Sequence, residues 1–149
     1  MSNTLIFICT GNTCRSPMAE ALAKSLLKNH TTIEISSAGI STGDGYLASE
    51  NAIAALLDEE IDLISHSSRQ ISSEMLKNAK LVLTMTQGHL HAVKILYPQA
   101  NAFTLSEYAD STGDISDPFG GNLETYRKCM SQIKQLLLSC VEKLQDEFK

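Results

Sequence analysis

Apolar runs of strand length alternate along this chain with stretches of helical period, the pattern of an α/β domain built on a parallel sheet. Residues 5–9, Leu-Ile-Phe-Ile-Cys, are apolar at every position, as suits a strand covered on both faces. A helix follows over 17–29, with Met18, Ala21, Leu22 and Leu26 on one stripe. Residues 32–36 alternate around Ile33 and Ile35 and predict an edge strand, with 37–45 as loop. A second helix is expected over about 47–60, with Ala48, Ala52, Ala55 and Leu56 on its apolar face. A short one near 72–78 leads into the apolar strand 81–85. Residues 87–97 read as a helix stopped by Pro98, and 102–105 as a short fourth strand. Residues 107–121 form a polar loop, and 122–145 a last helix striped by Leu123, Tyr126, Met130, Ile133, Leu137, Cys140, Val141 and Leu144.

Two wholly apolar strands inside two weaker ones predict a three-layer α/β fold. Its four-stranded parallel sheet has the order 2-1-3-4, with right-handed crossovers placing helices on both faces. In such sheets ligands bind beyond the carboxyl ends of the strands, where the strand order reverses. The loop 9–16 ends there. No repeat, linker or low-complexity stretch divides the 149 residues, so one domain spanning 1–149 is expected.

Charge narrows the partners. Lys and Arg number 12 against 17 Asp and Glu, a net −5 with no basic block. Neither nucleic acid nor an anionic membrane is expected as a partner. No apolar run approaches the roughly 18 residues of a membrane span. The Met-Ser-Asn-Thr start lacks the basic region of a signal peptide, so a cytoplasmic setting is expected. Cys9, Cys14, Cys129 and Cys140 should then be thiols. None forms a CxxC pair, and His89 and His91, two apart on a helix, point in different directions. No metal or other cofactor is expected.

The candidate chemistry lies in Cys9-Thr-Gly-Asn-Thr-Cys-Arg-Ser-Pro17. Pro17 suits a first helical position, and Ser16 the cap before it. Gly11 and Asn12 are types that readily take positive φ. Such a strand-to-helix turn can point successive backbone N–H groups inward as an anion nest at a helix N-terminus. Arg15 adds a planar fork of donors matched to two phosphoryl oxygens. Cys9 stands at the base of that cradle, where a helix N-terminus and a guanidinium favour the thiolate. A soft nucleophile beneath a bound phosphoryl group is what a phosphocysteine mechanism requires. The leaving group needs a proton, and Glu107, Asp110, Asp114 and Asp117 all fall in the loop on the ligand side. Composition does not choose among them, although Pro118 restricts Asp117 to extended backbone.

This loop, with Asp117-Pro-Phe119 late in the chain, resembles the low-molecular-weight cysteine phosphatases. The likeness extends through Ser37-Ala-Gly39, Ser65-His66, Arg69-Gln70 and Leu83-Thr-Met85. It implies hydrolysis of phosphorylated proteins, with inorganic phosphate or another oxyanion able to occupy the loop. By the same likeness Cys9 is the nucleophile, Arg15 the phosphate ligand and Asp117 the acid. Thr10, Gly11, Asn12, Thr13, Cys14 and Ser16 would complete the cradle, with Ser16 bonded to the thiolate and His66 supporting Asn12. Tyrosine-specific members usually carry an apolar residue where Thr13 stands, an aromatic pair after Asp-Pro, and Met-Asp in place of Met85-Thr86. Thr13 and Phe119-Gly-Gly121 instead resemble the protein arginine phosphatase branch, and both Thr13 and Phe119 are candidates for the substrate rim. Thr42 and Tyr46 are further rim candidates.

Cys14 shares the loop with Cys9, so a Cys9–Cys14 disulfide is a candidate redox device. Cys129 and Cys140 share one face of the last helix and are expected to pack. Protein-tyrosine phosphatase is the alternative activity. An arsenate reductase on the same scaffold is a weaker rival, because it needs a relay of further cysteines. A sugar-transport phosphocarrier has no use for Asp117, and a phosphoprotein-binding module none for Cys9.

Overall fold

The computed structural model describes residues 2–30 and 32–149. Four parallel strands lie in the order β2-β1-β3-β4: β1 Thr4–Cys9, β2 Glu34–Gly39, β3 Leu81–Thr84 and β4 Ala102–Thr104. The helices are α1 Arg15–Leu26, α2 Glu50–Leu57, α3 Ser73–Asn78, α4 Gln87–Leu96, α5 Leu105–Tyr108 and α6 Leu123–Glu147. The expected sheet order and fold class both hold.

Alternation along β1 divides the interior in two. Leu5, Phe7 and Cys9 face a layer with Met18 of α1, Ala52 of α2, and Ile133 and Leu137 of α6. Ile6 and Ile8 face the opposite layer with Leu76 of α3 and Val93 of α4. Leu5, Phe7, Ile8, Leu81, Val82 and Leu83 have no exposed surface, which is why β1 and β3 are apolar apart from Thr4 and Thr84. The α6 stripe holds: Tyr126, Met130, Ile133, Leu137, Cys140 and Leu144 are buried. Side-chain caps start several helices, among them Ser49 on α2, Ser72 on α3, Thr86 on α4 and Asn122 on α6.

Several boundaries differ from the sequence expectation. β2 begins at Glu34 rather than residue 32, and it continues through Ser37-Ala38-Gly39, expected as loop. Those three residues pair in register with Phe7, Ile8 and Cys9, so partnership with a buried strand overrides their weak β propensity. Leu105 starts the short helix α5 instead of ending β4, because Thr104 and Glu107 form a reciprocal capping box. α2 is shorter than expected at both ends.

The start of α1 matters most for the site. Arg15 is already helical, with Cys14 at the cap position and no side-chain cap. Ser16 is therefore not the cap. Pro17 still lies in the first turn, where its missing N–H costs no helical hydrogen bond. Of the two residues expected at positive φ, only Asn12 adopts it, at 56°.

Candidate active site

β1 delivers Cys9 to the carboxyl edge of the sheet, and α1 carries the chain away from Arg15 onward. The segment between them is tied on both sides. The backbone N–H groups of Ile40 and Ser41 donate to the carbonyls of Cys9 and Thr10, and Ser49 N–H donates to the Thr13 carbonyl. Gly39 lies so close beneath that a Cβ there would stand 2.7 Å from the Thr10 carbonyl oxygen and 3.1 Å from Asn12 Cβ. The Ser-Ala-Gly end of β2 is thus shaped by close approach to the loop.

Asn12 is the hub of that loop. It is fully buried, and its Nδ2 donates to Ser16 Oγ at 2.8 Å and to Ser37 Oγ at 2.9 Å. Its Oδ1 accepts from the Arg69 backbone N–H at 2.9 Å, and its carbonyl accepts from His66 Nε2 at 2.7 Å. Ser37 Oγ in turn donates to Glu20 Oε1, 2.6 Å away. Ser16 Oγ lies 2.9 Å from Cys9 Sγ. Because Ser16 already accepts from Asn12, its hydroxyl proton is free to point at sulfur. The network ends with a donor aimed at Cys9.

Arg15 is only 4 % exposed. One terminal nitrogen donates to the Ile115 carbonyl at 2.9 Å, and the other lies 3.6 Å from Asp117 Oδ2. Ile115 N–H in turn donates to the Met85 carbonyl just beyond β3, so the acidic loop is pinned to both the sheet and the guanidinium. Asp117 is half-exposed, with Oδ1 accepting from Phe119 N–H at 3.1 Å. The structure separates the four loop acids. Glu107 caps α5, Asp114 accepts from Gln87 N–H at the start of α4, and Asp110 occupies a turn at φ 58°. Asp117 is the acid beside Arg15.

Cys9, Thr10, Gly11, Thr13, Cys14, Arg15, Asp117 and Phe119 together line a cleft of about 260 Å³. Phe119 is 78 % exposed at its mouth. A larger hollow of about 620 Å³ lies behind the loop, between α1 and the segment carrying His66 and Arg69. It is lined by neither Cys9 nor Arg15, and by no cysteine. Thr42 and Tyr46 do not line the cleft. Among the described residues no group of three His, Cys, Asp or Glu side chains is arranged to hold a metal ion.

The remaining thiols are buried. Cys14 Sγ lies 3.3 Å from the Tyr126 hydroxyl and 3.6 Å from Ser49 Oγ. Burial above all, with the Cys14 contact, pushes the Tyr126 phenol up to about 12. Burial likewise pushes the Cys129 thiol up to about 12 and Cys140 up to about 11. All four cysteines are free.

Two neighbours of the cleft carried no functional expectation from sequence. His89 Nε2 lies 2.8 Å from Thr10 Oγ1, and Tyr126 reaches Cys14 from α6. A signal for His89 exists in hindsight: it sits in the first turn of the helix after β3, the strand beside β1, where a side chain reaches the switch point.

Comparison with known proteins agrees with this geometry. The family described as low molecular weight phosphotyrosine protein phosphatase matches residues 4–149. A relative from Geobacillus stearothermophilus, named protein-arginine-phosphatase, is 40 % identical over 99 % of this chain and 99 % of its own. One from Staphylococcus epidermidis, named low molecular weight protein-tyrosine-phosphatase PtpB, is 38 % identical over 89 % of this chain and 93 % of its own. Among solved structures, a YwlE arginine phosphatase in which a mutant active-site serine is phosphorylated superposes with a TM-score of 0.89. It is 36 % identical, covering 95 % of each chain.

Proposed function

The chain belongs to the low molecular weight phosphotyrosine protein phosphatase family, and from that premise we propose that it hydrolyses phosphoarginine on proteins through a phosphocysteine at Cys9. The observation that carries this is the convergence of Cys9, Arg15 and Asp117 on one cleft, with Ser16 bonded to the sulfur. Two kinds of support favour arginine. A relative that matches almost end to end is named a protein-arginine-phosphatase. Thr13 and Asp117 also give the cleft polar groups suited to a planar guanidinium, which an apolar rim would reject.

In the proposed reaction the loop N–H groups and Arg15 hold the phosphoryl oxygens, and Cys9 sulfur attacks phosphorus in line. The S–P bond forms as the P–N bond breaks, and Asp117 gives its proton to the departing guanidine nitrogen. The resulting carboxylate takes a proton from water, which attacks phosphorus and releases phosphate. Sulfur leaves as a thiolate into the hydrogen bond from Ser16. Thr10, Gly11, Asn12, Thr13 and Cys14 shape the cradle, and His66 braces it through the Asn12 carbonyl.

Phosphotyrosine is the second reading, favoured by the Staphylococcus relative's name. The test is a panel of phosphoarginine and phosphotyrosine peptides, with Thr13→Ile alongside. Preference for phosphoarginine that shifts toward phosphotyrosine in the variant supports the proposal. A wild-type preference for phosphotyrosine that the variant leaves unchanged overturns the arginine assignment. An arsenate reductase relay is disfavoured, because Cys129 and Cys140 are buried within α6 as protonated thiols.

Among the described residues no helix is long and apolar enough to cross a membrane. The proposed setting is the cytoplasm, acting on phosphorylated proteins. Cys14 remains the proposed redox partner of Cys9. Capture of oxidised Cys9 requires Cys14 to leave Tyr126 and Ser49.

A further inference from the structure

One wall of the cleft carries a pair that the proposed chemistry leaves idle. Thr10 follows the nucleophile directly and lines the cleft with Cys9, Arg15 and Asp117. Its Oγ1 lies 2.8 Å from His89 Nε2. His89 is 8 % exposed and sits in the first turn of α4, where its backbone N–H donates to Thr86 Oγ1.

Which way that hydrogen bond runs can be settled from the other ring nitrogen. Burial first, and Arg15 second, lower the His89 pKa to about 4 against the opposing pull of Asp114 and Asp117. The ring is therefore neutral near pH 7 and has one N–H. Nδ1 is buried and has no hydrogen-bond partner among the described residues. A proton on Nδ1 would strand a buried donor with no acceptor, the costlier of the two orphans. A proton on Nε2 leaves Nδ1 as a bare lone pair and makes Nε2–H a donor to Thr10. Thr10 Oγ1 then accepts from His89, and its own proton is free to turn toward the cleft.

We propose that the Thr10 hydroxyl is an additional donor to the bound oxyanion and that His89 is the positioning residue that aims it. Thr10 touches the phosphoryl group; His89 acts only through Thr10. The inference rests on the phosphatase reading of the cleft. It adds a side-chain donor to a cradle otherwise made of backbone N–H groups and Arg15.

The test is steady-state hydrolysis of p-nitrophenyl phosphate, with vanadate as the oxyanion probe. Thr10→Val and His89→Leu are each expected to lower kcat about tenfold and to weaken vanadate inhibition similarly, the size of one charge-assisted hydrogen bond. Thr10→Ser and His89→Gln, which keep a hydroxyl and an N–H donor, should stay within about threefold of wild type. Thr10→Val combined with His89→Leu should lose no more than Thr10→Val alone, because the two act in series. Wild-type kcat and vanadate affinity in Thr10→Val overturn the inference, as do losses that multiply in the double variant. If His89→Leu fails to fold, the Thr10→Val and Thr10→Ser pair decides alone. A wild-type enzyme that neither hydrolyses the aryl phosphate nor binds vanadate overturns the phosphatase reading itself, and this inference with it.

Discussion

Cys9 and Ser16 stand 2.9 Å apart, sulfur to hydroxyl oxygen, with both side chains buried. Asn12 Nδ2 donates to Ser16 Oγ, which leaves the Ser16 hydroxyl proton free to donate to sulfur. A thiolate accepts that hydrogen bond more strongly than a thiol does, so Ser16 favours sulfur both as nucleophile and as leaving group. Ser16→Ala should lower kcat about tenfold with little change in KM. Single-turnover kinetics should show both phosphorylation of the enzyme and its breakdown slowed. A variant with wild-type kcat would remove Ser16 from the mechanism.

Asn12 holds the loop rather than the substrate. Asn12→Ala would leave Ser37 Oγ, Ser16 Oγ and the Arg69 N–H each short of a partner, and would place alanine at φ 56°. The expected loss is about 3 kcal/mol of stability, read by denaturant unfolding, together with most of the activity. Unfolding at the wild-type midpoint would contradict the role of hub.

Asp117 as acid predicts a dependence on leaving group. Asp117→Asn should cut turnover of phosphoarginine peptides by about 10²–10⁴. An aryl phosphate with a good leaving group should suffer less in the bond-breaking step. Equal losses on both substrates would point to Arg15 alignment, through the 3.6 Å contact, rather than proton transfer.

The sheet was legible because burial on both faces leaves an unmistakable trace: Leu5–Cys9 and Leu81–Met85 are apolar at nearly every position. The Cys-x5-Arg loop was legible for a related reason, since an anion cradle at a helix N-terminus needs particular residues in unbroken order. What escaped was set by distant partners. Ser37-Ala38-Gly39 look like loop, yet they form strand because Phe7, Ile8 and Cys9 lie beside them. Ser16 looks like a helix cap, but its hydroxyl is engaged by Cys9 and Asn12, and α1 begins two residues earlier than expected. His89 carries only a positional sign, the first turn of the helix after β3, because its role depends on Thr10, 79 positions away.

His89 also predicts how stability changes in acid. Burial first and Arg15 second hold its folded pKa at about 4, below the ordinary 6.5, against the opposing pull of Asp114 and Asp117. Below about pH 6.5 the unfolded chain takes up a proton that the folded protein refuses, so this group lowers stability as pH falls toward 4 and adds nothing further beneath that. His89→Gln should show a shallower loss of unfolding free energy between pH 6.5 and 4. Identical slopes for variant and wild type would refute a buried neutral imidazole.

The most direct test of the whole account is to look for the covalent intermediate. Asp117→Ala should slow attack by water and let phosphoenzyme accumulate during rapid-quench reaction with a p-nitrophenyl phosphate substrate. Mass spectrometry is expected to find one added phosphoryl group, on the peptide containing Cys9, and none after Cys9→Ala at the same time point. Substrate turnover by an enzyme that never carries phosphorus on Cys9, or that still turns over in the Cys9→Ala variant at the wild-type rate, would contradict it.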